Sequence, residues 1–342
     1  MENRRILKDL GKGAFLMGGE TPQEMELNIP VGAKLEKPVF LTNQLNGLED
    51  CDTTLELHVS LAEGAEAEMV IDDRSAEDLP FHSERTISID VAAGASFALY
   101  TLAELNPQST SINKVQIKNA GSVRVGTFSL TGGVEENSLF LDFTGEGASC
   151  ELFGMTIASE KQQVRNVVQV THRVAHCTDR ELFKQILDDE AVGRFEGLVR
   201  VCPRCPGADS QQVSRNICLS RSARAFAQPQ LVIDTDDVRC SHGTTVGQLD
   251  EEALFYMQQR GISRHEARLL LLSAFLDEVI EKVTIPSIRD RLHLLAEGRL
   301  RGELNHCVAC GACKKGECNR RYGNVRYRKD QGRFPYSHAR NL

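Results

Sequence analysis

Eleven cysteines and nine histidines are the residues of this 342-residue chain best suited to soft-metal and sulfur chemistry. Thiolates bind iron, zinc and transferable sulfur, and neutral imidazole coordinates the same metals. Cys240 and His242 stand two apart; on an extended strand such residues share a face, so thiol and ring can converge on one ion. The plain structural alternative is that His242 anchors a turn by hydrogen bonds. His172 and His176 can share a strand face with Val170 and Val174, leaving Cys177 on the other face, and local hydrogen bonds or solvent account for that pair equally well. Cys202 and Cys205 form a C-x2-C within VCPRCPG. Two thiols make half of a closed tetrahedral site, and Pro203 and Pro206 suggest a stiff turn.

The densest group is Cys307, Cys310, Cys313 and Cys318, four cysteines in twelve residues. Crowded thiolates of this kind wrap an iron-sulfur cubane or hold tetrahedral zinc, and Gly311 eases the tight backbone path. Four residues rather than three precede the last cysteine, and Asn319 follows where a bacterial ferredoxin loop has proline. A [4Fe-4S] cluster, a zinc ion and a metal-free tail are therefore all carried forward.

The elements that must position these residues fall into two kinds. From residue 36 onward apolar and polar residues alternate in short bursts, as in Leu55, Leu57, Val59, Leu61 and again Ala65, Ala67, Met69, Ile71. This is strand periodicity. Small-residue turns punctuate the bursts, and their glycines, Gly64, Gly94, Gly121 and Gly147, lie 30, 27 and 26 residues apart. A loose repeat of strands and glycine turns without amphipathic helices predicts a β-solenoid, with a β-sandwich as the alternative. Near residue 250 the period changes to three and four: Leu254, Phe255 and Met257, then Ala267, Leu270, Leu271, Ala274 and Phe275. Two helices are expected, divided at Gly261, the second opened by a Ser263/Glu266 capping box. Pro286 opens a third helix. The expected organisation is a short segment over 1–35, a β core over 36–247, a helical region over 248–300 and a basic Cys-rich tail over 301–342.

Charge divides the chain as well. The net charge is -8, yet residues 306–342 carry nine Lys/Arg against two acids. An acidic body argues against a broad nucleic-acid surface, while the tail can meet phosphate, an acidic partner or solvent. No apolar run reaches membrane-spanning length, and MENRRILKDLGKG is not followed by the apolar stretch of a signal peptide, so the expectation is a cytoplasmic protein without a membrane span. No G-x4-G-K-[ST] loop is present to cradle a nucleoside triphosphate.

The segment from Gln228 to Gly261 resembles the SufB/SufD family of iron-sulfur cluster assembly proteins. Its blocks are QPQLVI (228–233), DDVRCSHGTTVG (236–247), Leu249-Asp250, LFY (254–256) and Arg260-Gly261-Ile262. Upstream, VTHRVAHCTDRELFKQILDDEAVGRFEGLVRV, then Gln211, Gln212, Arg215 and Asn216, is also similar to the family. Gly243 in CSHG favours the SufD-like branch, since SufB-type chains carry Glu there. The resemblance implies a right-handed parallel β-helix followed by helices that dock a SufC-type ABC ATPase. It also implies a non-catalytic scaffold that pairs with a SufB-type chain or a second copy of itself, and a transient iron-sulfur cluster assembled at that interface, where Cys240 and His242 sit. A rival expectation makes the chain a cluster carrier or redox protein working through its cysteine tail. Nucleic-acid binding by the basic tail is the least favoured.

Overall fold

The computed structural model describes residues 6–11, 14–18, 24–44, 51–75 and 79–302. An antiparallel pair, β1 (Ile6–Gly11) and β2 (Ala14–Gly18), leads into β3 (Glu24–Ile29), and from there the chain winds between two sheets. One sheet stacks β3, β5 (Cys51–Leu61), β7 (Phe81–Val91), β9 (Ser109–Asn119), β11 (Val134–Phe143), β13 (Gln163–His172), β15 (Val192–Val201) and β17 (Arg224–Ile233). The other stacks β4 (Val39–Gln44), β6 (Glu66–Arg74), β8 (Ser96–Glu104), β10 (Ser122–Thr131), β12 (Ser149–Ala158), β14 (Thr178–Leu187), β16 (Ala208–Cys218) and β18 (Val238–Gly247). Every pairing from β3 onward is parallel, so the architecture is the β-solenoid that the repeat predicts, of about seven coils. β3 already pairs with β5 in register, although it lies within residues 1–35.

The turns explain the glycine period. Gly64, Gly94 and Gly147 sit at φ of 67°, 69° and 73°, left-handed backbone that glycine adopts without a Cβ clash. Gly121 is different: its turn is shorter, and a Cβ there would meet the Ala95 carbonyl oxygen at 2.2 Å. The same residue type thus serves backbone conformation in three turns and close approach in one.

Between the sheets, apolar residues such as Leu57, Ile87, Val115, Leu139, Met69, Leu99, Val125 and Leu152 fill the side nearest these turns. The opposite side is polar. Asn113, Asn137 and Asn166 stack in register and bond one to the next at 3.0 and 3.3 Å. The buried Arg85 guanidinium grips the Asp73 carboxylate at 2.7 Å.

Three helices follow, α1 (Glu251–Gln259), α2 (Arg264–Ile280) and α3 (Pro286–Leu300). Gly261 at φ 85° ends the first, the Ser263 hydroxyl accepts from the Glu266 amide at 3.2 Å to start the second, and Pro286 starts the third, as the sequence predicts. Leu272, Leu276, Val279, Ile288 and Leu292 pack on the outer face of the second sheet against Tyr100, Phe128, Phe153 and Ile186. Polar pins fix the docking. Arg291 reaches Asp72 at 2.8 Å and also Glu104, and the buried Lys184 ammonium donates to Glu278 at 2.5 Å and to the Phe275 carbonyl at 2.6 Å. Burial lowers the Lys184 pKa, with the Glu278 carboxylate opposing that shift. Replacing Glu278 by alanine leaves this ammonium with one carbonyl, and a loss of about 1–3 kcal/mol in urea unfolding is expected. An unchanged midpoint would show that the pin carries no stability.

Candidate functional site

Cys240 and His242 lie on β18, the last strand of the second sheet. Two adjacent rows of in-register residues lead to them through the solenoid. One row runs Ala67, Phe97, Val123, Cys150, Asp179, Ser210, Cys240; the other runs Met69, Leu99, Val125, Leu152, Glu181, Gln212, His242. Positions two apart share a face, and every member except Cys240 and His242, on the last coil, is buried. Both rows change chemistry at the same coil: apolar side chains, Met69 and Cys150 among them, in the early coils, then carboxyl, hydroxyl and amide groups in the two coils beneath Cys240 and His242.

Those polar groups are wired together. His172, at the end of β13 and fully buried, meets Asp179 with its Nε2 at 2.6 Å, and the Ser210 hydroxyl donates to the other Asp179 oxygen at 2.8 Å. Gln212 donates to Glu181 at 2.7 Å. The space for Gln212 comes from Gly197 across the coil, where a Cβ would sit 2.4 Å from the Gln212 amide nitrogen. Burial first, then repulsion from Asp179, raises the Glu181 pKa well above the ordinary carboxyl value, with the hydrogen bond from Gln212 opposing. Burial, and secondarily Asp179, likewise raise the Cys240 thiol, opposed by a hydrogen bond from the Ser210 backbone. Cys240 is therefore a protonated thiol in the isolated chain at neutral pH, half-buried, and His242 beside it is exposed.

His172 and His176 do not share a strand face. β13 ends at His172, and His176 lies in the following turn at φ 58°, its ring out toward solvent near Glu146. Cys177 is buried in the core instead. The turn rather than the strand continues because residues 173–177 repeat the connection made earlier around Gly64, Gly94 and Gly147. Cys202 and Cys205 flank a turn centred on Pro203 and Arg204, the first half-buried and the second buried. Cys307, Cys310, Cys313 and Cys318 lie outside the described residues. Among the described residues no three His, Cys, Asp or Glu side chains are grouped to hold a metal ion, and none of the helices is long and apolar enough to cross a membrane. Asp179, Glu181 and Gln212 lie in segments similar to the family, but neither those segments nor the surroundings of Ser210 mark the four as facing one another. Stacking the strands in register is what brings them together.

Among the described residues no strand pairs beyond β17 or β18. In β15 every second residue is buried, but the matching positions of β17 are half-exposed, and Ile233 and Val246 remain 39% and 53% accessible. Pro229 removes one backbone donor from this edge. The fold and site together define a parallel β-solenoid scaffold whose open end presents a thiol and an imidazole above a buried polar network. Residues 45–275 match the family model described as the SUF system FeS cluster assembly SufBD core domain. The chain belongs to the SufB/SufD family of iron-sulfur cluster assembly proteins. It is 28% identical over 276 residues to the iron-sulfur cluster assembly protein SufD of Escherichia coli, covering 79% of this chain and 65% of that one. It is 30% identical over 256 residues to a SufBD family protein of Mycobacterium leprae, covering 71% and 64%. SufD of Bacillus subtilis is 28% identical over 157 residues, 46% of this chain and 36% of that one. The chain thus spans a little under two thirds of the length of the first two.

Proposed function

We propose that this chain is a non-catalytic, SufD-like scaffold subunit of the SUF machinery. It pairs through its last coil with a SufB-type chain or a second copy of itself. The nascent iron-sulfur cluster is cargo, built where Cys240 and His242 meet donors of the partner. The observation that carries this reading is the last coil, which no described residue covers: a solenoid end exposes backbone edges and core positions that a capping unit normally covers. Two donors are too few to hold a cluster alone, which favours a ligand set completed across an interface.

The helices supply the second half of the reading. Phe255 and Tyr256 on α1, Leu270 on α2 and Leu294 on α3 are more than half exposed on the side away from the solenoid core. An apolar set of this kind suits a protein partner, and we assign it to a SufC-type ABC ATPase, which would supply the ATP hydrolysis.

Co-expression with the ATPase and a SufB-type chain tests both contacts. Ile233→Asp with Val246→Asp should abolish scaffold pairing while retaining the ATPase, and Phe255→Ala with Tyr256→Ala should do the reverse. A wild-type chain that elutes as a monomer and recovers no ATPase would defeat the proposal. The four tail cysteines are proposed to hold a [4Fe-4S] cluster or zinc, which metal and sulfide analysis of the quadruple serine variant would decide.

A further inference from the structure

The C-x2-C at Cys202 and Cys205 has no part in the assembly interface, yet its geometry is specific. Pro203 and Arg204 are the central residues of a turn, with Arg204 left-handed at φ 64°. Cys202 and Cys205 are thus its first and fourth residues. The outer Cα atoms of such a turn lie within about 7 Å, and a disulfide needs a Cα separation of roughly 4.4–6.8 Å. Both thiols border one small cluster made by Val199, Val201 and Ala208, and Cys240 of the next coil borders it too. Among the described residues no third donor is grouped around them, and the pair is read as a dithiol.

The two sulfurs are unequal. Cys202 is half-buried at the surface, whereas Cys205 is buried and bonds weakly to the Pro203 carbonyl at 3.7 Å. The accessible thiol of such a pair attacks, and its inaccessible neighbour resolves.

We propose that Cys202 and Cys205 form a two-electron site that reduces sulfane sulfur, carried as a persulfide or polysulfide, to sulfide. The choice of substrate rests on the assembly role above; the dithiol chemistry does not. The Cys202 thiolate attacks the outer sulfur of R–S–SH, the S–S bond breaks, and R–S⁻ leaves, so that Cys202 carries the added sulfur as a persulfide. Cys205, giving up its proton, then attacks Cys202 Sγ. A Cys202–Cys205 bond forms and HS⁻ leaves with the electron pair. The sulfane sulfur gains two electrons and the two thiols lose two. A dithiol or protein thiol from outside restores the pair.

The test uses the full chain, reduced and desalted anaerobically, with inorganic polysulfide as the probe. Trypsin cuts after Arg204, so the disulfide would join two peptides that are otherwise separate. The wild type should yield this linked species and about one more sulfide per chain than Cys202→Ser, while Cys240→Ser should behave as wild type. Cys205→Ser should trap the extra sulfur on Cys202. Absence of the linked peptides in the wild type, or equal sulfide from wild type and Cys202→Ser, would overturn the proposal. Because the isolated chain suffices, these outcomes are independent of whether the scaffold partner and ATPase bind.

Discussion

Asp179→Ala should destabilise the protein by about 3–5 kcal/mol, the largest loss expected from any single polar side chain of the site. The substitution strips two groups of a partner and opens a void. His172 loses its side-chain hydrogen bond, since its Nδ1 already has no partner; the Ser210 hydroxyl loses its acceptor; and a fully buried volume is emptied. Removing one member of a buried pair costs about this much because the remaining polar group cannot reach water. Asp179→Asn, which keeps the shape and one oxygen, should recover part of the loss. Urea midpoints at constant slope measure it, and a loss below about 1 kcal/mol for the alanine variant would mean that the network is not under strain to be satisfied. A functional consequence follows from the register. Ser210 lies directly beneath Cys240, so loosening it should disturb the thiol that the last coil presents.

Much of this architecture was legible in the residues themselves. The alternation in Leu55–Leu61 and Ala65–Ile71, with the glycine turns, predicts strands and coils, because sheet periodicity and left-handed turns leave local marks. The Ser263/Glu266 box and Pro286 likewise mark helix starts where they occur. The buried polar rows leave no such mark. Thr178-Asp179-Arg180-Glu181 is four polar residues in succession, and nothing local says that Asp179 and Glu181 point inward while Arg180 bonds at the surface to Asp209. Only their neighbours in the adjacent coils, Cys150, Leu152, Ser210 and Gln212, fix the facing. His176 misleads for the converse reason: alternation counted on from His172 holds only while the strand lasts, and the strand stops there.

Glu135 makes the stability of the whole solenoid depend on pH in the opposite direction from a salt-bridged acid. Its side chain is buried on the polar side of the interior, where Oε1 accepts from Ser129 at 2.9 Å and from Asn137 at 2.8 Å while Oε2 has no partner. Burial dominates and raises its pKa to about 7 from an ordinary 4.5, with those two hydrogen bonds opposing the shift. A group that holds its proton more tightly when folded stabilises the protein below the unfolded value. That contribution is fully present below pH 4.5 and is lost as pH rises through about 7. At 1.36 kcal/mol per unit the loss is about 3 kcal/mol. Glu135→Gln removes the titration, so the stability difference between wild type and variant should shift by about that amount between pH 4.5 and pH 8, in favour of the variant at high pH. The comparison cancels Glu181, which is raised in the same sense and present in both proteins. It also cancels any fixed cost of the amide, since only the slope is read. Parallel pH profiles for the two proteins would show that Glu135 does not hold its proton in the folded state, and that the polar side of the solenoid is open enough for water to solvate the carboxylate.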